Sequence, residues 1–227
     1  MKRRRIPEVM DGAGIDITDH ADALRSLNRI NRALGMDRRM LGALRKRGKS
    51  IGSILDLGCG GGGLLGFLAD QRGLGGLDGG LLFGVDRSAY ALNCAVRWQR
   101  PGIHWIAADA CKLPLPDKSF DVVTCSLFLH HFDEPQATSV LREAGRVARD
   151  AIIVVDLVRS RLAWVLTWIM TRLLSRSWIF HVDGPRSVRA AYRPAELVDL
   201  ARRAGMHDAK MQRCFPFRMV LTWHKPP

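Results

Sequence analysis

The chain has 227 residues, of which 47% are hydrophobic and 25% are charged. This balance excludes a disordered polypeptide and predicts one globular domain with a sizeable core. The five cysteines form no Cys-x-x-Cys pair, which argues against a zinc ribbon, a redox dithiol and a secreted disulfide scaffold. We therefore expect a cytoplasmic environment, and the basic head Met1–Arg5 lacks the apolar run of a signal peptide.

The net charge of +13 is concentrated in two flanks of the chain. Residues 1–50 carry 13 basic and 6 acidic side chains (+7), residues 51–156 carry 9 and 12 (−3), and residues 157–227 carry 13 and 4 (+9). Basic flanks are typical of contact with nucleic acid, an anionic membrane surface or an acidic ligand, but also of a plain solvated surface. The near-neutral middle is the expected folding core.

From residue 51 onward, short apolar runs alternate with segments of helical spacing. In chain order the pattern predicts a strand over 51–57, a helix over 63–72, a strand over 81–85, a helix over 88–98, strands over 103–107 and 120–125, a helix over 134–147 and a strand over 151–155. Such alternation predicts a doubly wound parallel α/β sheet, in which ligands bind at the carboxyl ends of the strands. Residues 73–80 hold five glycines but precede a strand, which favours a flexible connector over a phosphate loop.

The first predicted strand ends in a glycine-rich turn, Asp56-Leu-Gly-Cys-Gly-Gly-Gly62. Its D-x-G-x-G-x-G form resembles the S-adenosylmethionine (SAM) turn of class I methyltransferases. Three later runs match the same family, namely Gly84–Ser88, Ala108–Ala110 and Pro114–Val123. The resemblance covers roughly residues 51–156 and implies a Rossmann-like, mostly parallel seven-stranded sheet with SAM as cofactor and S-adenosylhomocysteine as product.

The resemblance also implies which residues bind the cofactor. Asp86, beside Arg87 at the tip of the second strand, is suited to accept hydrogen bonds from two ribose hydroxyls. Asp109 and Ala110 take the place used against the adenine amino group. The turn and the end of the fourth strand complete the set with Asp56, Gly58, Cys59, Gly60 and Ser126. Asp86 lies thirty positions after Asp56, more than the usual spacing of about 20, and the 73–80 connector accounts for the excess.

The residues after the fourth strand bear on the methyl acceptor. Cys125-Ser-Leu-Phe128 lacks both the Asp/Asn-Pro-Pro-aromatic run of base-amine methyltransferases and the Pro-Cys of cytosine-C5 enzymes. Nucleic acid is therefore a disfavoured substrate. The paired acids of magnesium-dependent catechol enzymes are not evident either, and we expect no metal.

Histidines supply the candidate catalytic residues. His130 and His131 lie where family members line the methyl-transfer site, and an imidazole has a suitable pKa to accept the proton of a phenol or enol. Packing against the adenine side is the alternative role for this pair. His181, beside Asp183, is a second candidate, and His20 is a third.

The two basic flanks are expected to form substrate-binding lids. We predict a helical lid over residues 1–50, including a helix over 16–35, and a SAM-binding domain over 51–227 with a helical insertion at about 157–192. In the insertion, residues 161–178 read as a helix with two faces. A leucine-rich face is expected to pack on the protein, while Arg161, Arg172, Arg176 and Trp168, with Trp164 beside them, form the other. That second face suits a lid over a hydrophobic pocket or peripheral contact with the inner surface of the membrane.

The head Ile6–Asp11 and the tail Asp183–Tyr192 resemble bacterial methyltransferases found beside polyketide and phenolic-lipid pathways. This implies O-methylation of a phenol or enol on a lipophilic secondary metabolite. Two alternatives stay open: an RNA methyltransferase whose flanks contact phosphates, and a non-catalytic SAM-fold partner subunit. The sequence leaves the oligomeric state open. Residues 208–223 are expected to add the last antiparallel strands, with Pro216 between them.

Overall fold

A computed structural model describes residues 1–12, 15–48, 50–71, 80–98 and 101–226. These residues form one seven-stranded sheet with eight α-helices. The strands are β1 (Ser53–Leu57), β2 (Leu81–Asp86), β3 (Ile103–Ala107), β4 (Phe120–Ser126), β5 (Ala148–Leu157), β6 (Lys210–Cys214) and β7 (Arg218–His224). The helices are α1 (Ile17–Ala33), α2 (Met36–Arg45), α3 (Gly63–Asp70), α4 (Ala89–Trp98), α5 (Glu134–Val147), α6 (Arg161–Leu174), α7 (Trp178–Ala190) and α8 (Pro194–Arg203).

The strands lie in the order β3-β2-β1-β4-β5-β7-β6. Strands β1 to β5 pair in parallel, and β7 runs antiparallel to both β5 and β6. The predicted doubly wound, mostly parallel seven-stranded sheet is therefore confirmed. The two last strands fall within the predicted 208–223 segment and continue to His224, with Pro216 between them.

Both faces of the sheet are covered, which explains why its central strands are apolar throughout. On one face, α5 and α8 pack through Val140, Leu141 and Leu197, all of which are buried. On the other, α2 and α3 pack through residues such as Met40 and Leu65, which are fully buried. Within the predicted 1–50 lid, α2 thus belongs to the core of the sheet, whereas α1 lies beside α7.

The direction in which successive strands are added to the sheet reverses between β1 and β4. From β1 it proceeds outward through β2 and β3, then returns to β4 and β5 on the other side. In open parallel sheets the crevice at such a switch point is where ligands bind, outside the carboxyl ends of the strands. The glycine-rich turn follows β1 at this place.

The insertion differs from the prediction in two ways. The single helix expected over 161–178 is two helices, because α6 ends at Leu174 and α7 begins at Trp178. Ser177 caps the new helix by accepting a hydrogen bond from the backbone N–H of Phe180. The face that was expected to pack on the protein, with Leu162, Leu166, Ile169, Met170 and Leu173, is exposed instead, and so is Val165 beside it. We call these six side chains the α6 apolar face.

Small side chains explain this orientation of α6. Ala163 and Thr171 are the buried residues of the helix. A Cβ atom at Gly184 of α7 would lie 2.7 Å from Cγ2 of Thr171 and 3.3 Å from Cγ2 of Thr167. Close approach of the two helices therefore depends on glycine facing threonine, and the larger apolar residues are left on the outside.

The predicted connector over 73–80 lies outside the described residues except for Gly80, so its conformation stays a prediction. Among the described helices, none is long and apolar enough to cross a membrane.

Candidate active site

The turn after β1 depends on glycine at Gly58 and Gly60. Both have positive φ angles, 68° and 51°, a conformation that glycine adopts without strain. A Cβ atom at Gly58 would lie 2.2 Å from Cδ2 of Phe128, which leaves no room for any other residue. The backbone N–H groups of Gly58 and Cys59 donate to the Val85 carbonyl at 2.8 and 3.0 Å, which ties the turn to the end of β2.

Two aspartates lie at the ends of β1 and β2 as predicted. The Asp86 carboxylate accepts hydrogen bonds from the backbone N–H groups of Gly60 and Ser88, both at 2.8 Å. Asp56 is 2% exposed and accepts a 2.8 Å hydrogen bond from the hydroxyl of Thr124. Burial raises the pKa of Asp56 to about 7 despite that hydrogen bond. A partly neutral carboxyl therefore lies beneath the glycine turn at neutral pH.

A cavity of about 2080 Å³ opens over this turn. Most of the predicted cofactor-binding residues line it: Asp56, Gly58, Cys59, Gly60, Asp86, Arg87 and Ser126. Asp109 and Ala110 are not among the described residues that line it. The exposed Asp109 carboxylate instead accepts a 2.8 Å hydrogen bond from the backbone N–H of Cys111.

His130 lies in the cavity wall between two carboxylates. It belongs to a short 3-10 turn, Leu129–His131, that follows β4. Its Nδ1 is 2.8 Å from Asp156 Oδ1, and its Nε2 is 3.7 Å from Glu8 Oε1. Burial alone would lower the pKa of His130, but the two carboxylates raise it to about 10. The side chain is therefore an imidazolium at neutral pH and has no lone pair with which to accept a proton.

His131 also lies near two carboxylates, but it is more exposed than His130. Its Nδ1 lies 3.2 Å from Asp11 Oδ2, its Nε2 lies 3.9 Å from Glu8 Oε2, and its side chain is 24% exposed. It lines the cavity, as does Asp11. When Asp11 accepts the Nδ1–H, the lone pair of the neutral ring is on Nε2. Within the pair His130 and His131, this arrangement suits only His131 to act as a base.

The segment that carries Glu8 and Asp11 crosses the insertion. The Asp183 carboxylate of α7 accepts hydrogen bonds from the backbone N–H groups of Val9 and Met10 at 2.8 and 2.9 Å. Arg3 donates to the Phe132 carbonyl at 2.6 Å and its guanidinium lies 3.8 Å from the centre of the Tyr192 ring. We call residues 3–11 the N-terminal strap; it brings two acids to the histidine pair.

Sequence reasoning missed Glu8, Asp11 and Asp156 as partners of the histidines. Asp156 could have been found, because it lies near the carboxyl end of a buried parallel strand, where ligand-facing groups collect. Glu8 and Asp11 carried no such signal. They belong to the Ile6–Asp11 run, whose resemblance to other methyltransferases says nothing of its contacts.

The other two histidine candidates lie apart from this pair. His181 is not among the described residues lining the cavity, and its Nε2 is 2.7 Å from the Ser175 carbonyl. The catalytic role of His181 stays a prediction. His20 does line the cavity, but its ring stacks on Tyr90 with centroids 4.5 Å apart.

Glu8, His130 and His131, which we call the acid–histidine cluster, are candidate metal ligands. Potential ligand atoms of Glu8, His130 and His131 lie within 4.8 Å of one another, a set of a kind that can hold a divalent cation. The ion pair of Glu8 with the charged His130 accounts for the cluster without an ion.

The fold and this site define a doubly wound α/β protein with a nucleotide-cofactor cavity at the switch point of its sheet. A family model described as a methyltransferase domain matches residues 55–155. A demethylmenaquinone methyltransferase from Roseiflexus castenholzii is 30% identical over 174 residues, which cover 70% of this chain and 69% of that protein. The chain belongs to the class I SAM-dependent methyltransferases of small-molecule type, and its cofactor is SAM.

Solved structures share the fold at low sequence identity. A SAM-dependent methyltransferase from Aquifex aeolicus has a TM-score of 0.64 at 18% identity, covering 92% of this chain and 98% of its own. The plantazolicin methyltransferase BpumL, in complex with a pentazolic desmethylPZN analog and SAH, has a TM-score of 0.65 at 16% identity, covering 93% and 96%. Human N-acetylserotonin methyltransferase in complex with SAM has a TM-score of 0.69 at 15% identity, covering 93% and 57%.

Proposed function

We propose that this enzyme methylates a hydroxyl group, a phenol or enol, on a lipophilic small molecule of secondary metabolism. The observation that carries the proposal is the pairing of His131 with Asp11 in the wall of the cofactor cavity. A hydroxyl acceptor must lose its proton when it is methylated, so a base at this position has a defined task.

The glycine turn fits SAM. A Cβ atom at Gly60 would meet only Leu24 Cδ2, at 3.9 Å, so the backbone there is open to close approach of a ligand. Asp86 offers carboxylate oxygens to ribose hydroxyls. When bound, SAM supplies a sulfonium methyl group, and the sulfur keeps the electron pair of the bond that breaks. We assign cofactor binding to Asp56, Gly58, Cys59, Gly60, Asp86, Arg87 and Ser126.

His131 takes the proton of the acceptor hydroxyl on Nε2 while Asp11 holds the Nδ1–H. The oxygen then forms its new bond to the methyl carbon, and the proton remains on the imidazole until it exchanges with solvent. Asp11 both orients the ring and stabilises the imidazolium that forms. His130 remains protonated throughout, and we assign it a positioning role, since its ion pair with Glu8 holds the N-terminal strap against the site.

Part of the cavity wall is apolar and suits a lipophilic acceptor. Its apolar side chains include Met10, Leu27, Phe128, Phe132, Leu174 and Trp178. The relative from R. castenholzii is named for a small-molecule acceptor, demethylmenaquinone, which agrees with this class of substrate. Arginines of the basic flanks are in part engaged within the protein: Arg159, for example, is 5% exposed and donates to Glu196 and the Ala191 carbonyl. This weakens the case for RNA as the methyl acceptor.

The test uses methyl-labelled SAM, the purified enzyme and a lysate of the source organism. After incubation the mixture is separated into RNA, protein and solvent-extractable fractions, and labelled products are identified by mass spectrometry and NMR. We expect label in the solvent fraction, on an oxygen of a lipophilic compound. Label in RNA, or a methyl group on nitrogen or carbon, would contradict the proposal.

A further inference from the structure

The α6 apolar face is the largest exposed hydrophobic feature that we find among the described helices. Its six side chains have exposed fractions between 38% for Ile169 and 72% for Leu173. Helical periodicity places them on one continuous side, whereas the buried residues Ala163 and Thr171 lie outside it. A contiguous apolar surface of this kind marks an interaction site, whereas single exposed apolar residues do not.

We propose that the α6 apolar face docks on the surface of an anionic lipid bilayer. With 14 residues, α6 is about 21 Å long, which is too short to cross the hydrocarbon core of a bilayer. A short helix with one apolar side lies in the plane of the interface and buries that side among the acyl chains.

The charges beside the α6 apolar face indicate that the surface it docks on is anionic. Residues 160–182 contain three arginines and no acidic residue. Arg161, Trp168 and Arg172 follow one another along one flank of α6, and the guanidinium of Arg172 lies 4.1 Å from the centre of the Trp168 ring. Arginine and tryptophan at the border of an apolar helix face match the headgroup region, where phosphates meet acyl chains.

The same charges argue against a second copy of the chain as the occupant. In a twofold-symmetric contact the same patch meets itself, so arginines would face arginines with no acid on α6 to compensate. Near the start of α7, Asp19 accepts a 3.0 Å hydrogen bond from the indole N–H of Trp178 and is thus engaged within the protein.

The face is continuous with the active-site cavity. Leu173 of the face lines the cavity, and so do its exposed neighbours Arg172, Leu174 and Trp178. A bilayer beneath α6 would therefore lie at the cavity mouth, where a lipophilic acceptor could enter without crossing water. This last consequence rests on the proposed function, whereas docking itself does not.

Vesicle sedimentation tests the docking. The full-length enzyme is mixed with vesicles of phosphatidylcholine alone or of phosphatidylcholine with phosphatidylglycerol. The test variant is Leu162→Asp with Ile169→Asp, because both side chains are exposed and neither lines the cavity. The matched control is Leu81→Asp with Val96→Asp, which adds the same charge at residues 51% and 60% exposed on β2 and α4.

We expect the wild type and the control to bind the anionic vesicles with the same affinity, and to bind the neutral vesicles more weakly. The α6 variant should lose at least tenfold in affinity for the anionic vesicles. SAM binding and thermal stability should be the same in all three proteins. The proposal is overturned if wild type stays in the supernatant, if the control loses as much binding as the α6 variant, or if neutral vesicles bind equally well. A wild-type dimer that the α6 variant converts to a monomer, without vesicle binding, would instead assign the face to a second copy.

Turnover separates this proposal from the proposed function. With a short-chain, water-soluble phenol the α6 variant should retain wild-type kcat. Methylation of that phenol without vesicle binding would overturn docking alone, and vesicle binding without methylation of any hydroxyl would overturn the proposed function alone.

Discussion

Asp11 and His131 lie 120 positions apart in the chain, yet the Asp11 carboxylate is 3.2 Å from Nδ1 of the His131 ring. The contact depends on the N-terminal strap, which Asp183 holds through two backbone N–H groups. Burial would raise the pKa of Asp11, but the histidine and Arg87 lower it overall. Asp11 is therefore ionised at neutral pH and can hold the ring in one orientation.

Substitution of either residue should lower the rate of methyl transfer. We expect His131→Gln to reduce kcat by about 10² to 10⁴-fold, the usual contribution of a general base. Asp11→Asn should reduce kcat less, by roughly tenfold or more, because the ring keeps its nitrogen but loses its orienting carboxylate. Steady-state kinetics with the identified acceptor provides the measurement.

His181→Gln is the matched control, since His181 is outside the cavity lining and should leave kcat within twofold of wild type. The dissociation constant for SAM should not change in any of the three variants. Wild-type kcat in both His131→Gln and Asp11→Asn would rule out the proposed base while leaving the methyltransferase assignment intact.

His130 should instead affect stability as a function of pH. Its pKa of about 10 in the folded protein exceeds the value of about 6.5 expected for an unfolded chain. A base with a raised folded pKa contributes stability that is fully present below the unfolded pKa and is lost as the pH rises towards the folded pKa. The unfolding free energy of wild type should therefore fall between pH 7 and pH 10, on the order of 1 kcal/mol per pH unit from this group.

Urea denaturation of wild type and His130→Gln at several pH values isolates that contribution. The variant should be less stable at pH 7, because Asp156 loses its buried counter-charge, and the difference should narrow towards pH 10. Parallel stability curves for the two proteins over this range would mean that His130 does not hold its proton there.

The glycine turn should not tolerate a side chain at Gly58. In Gly58→Ala the new Cβ would collide with Phe128 in a backbone conformation that L residues rarely adopt. We expect SAM binding, measured by isothermal titration calorimetry, to weaken at least tenfold. Gly42→Ala on α2 is the control, because a Cβ there meets nothing within 4 Å. Equal SAM affinities in the two variants would contradict the role assigned to the turn.

Much of the fold was predictable from local signals. The runs that form β1, β4 and β5 are apolar on both faces because helices cover both sides of the sheet, and the turn after β1 encodes its conformation in Gly58 and Gly60. The contacts of the histidine pair were not predictable in this way. Glu8 and Asp11 reach it only through a strap whose path depends on α7.

The insertion was misread for a different physical reason. Hydrophobicity predicts that the face containing Leu166 and Ile169 is buried, because burial of the most apolar stripe is the usual outcome for a helix. Packing against Gly184 selects the small residues Thr167 and Thr171 instead. A steric criterion, rather than a hydrophobic one, thus determined which side of α6 faces the protein.

Asp86 and Asp109 allow a direct comparison of two predicted cofactor contacts. Asp86→Asn should raise the dissociation constant for SAM about tenfold to a hundredfold, since hydrogen bonds to a charged acceptor contribute about 1.5–3 kcal/mol. Asp109→Asn should change it less than threefold, because this exposed carboxylate does not line the cavity. Calorimetric titration of both variants with SAM decides the point. An equal loss of SAM affinity in Asp109→Asn would support the predicted contact of Asp109 with the adenine amino group.

Chelation tests the acid–histidine cluster. If Glu8, His130 and His131 form only the ion pairs described above, prolonged dialysis against EDTA should leave kcat unchanged, because proton transfer to His131 requires no metal. The dialysed enzyme is assayed before and after addition of zinc or magnesium, with metal content measured in parallel. Loss of activity on dialysis and recovery with one ion would assign the three side chains as its ligands. In that case a metal ion that polarises the acceptor hydroxyl, rather than a histidine base, would promote loss of its proton.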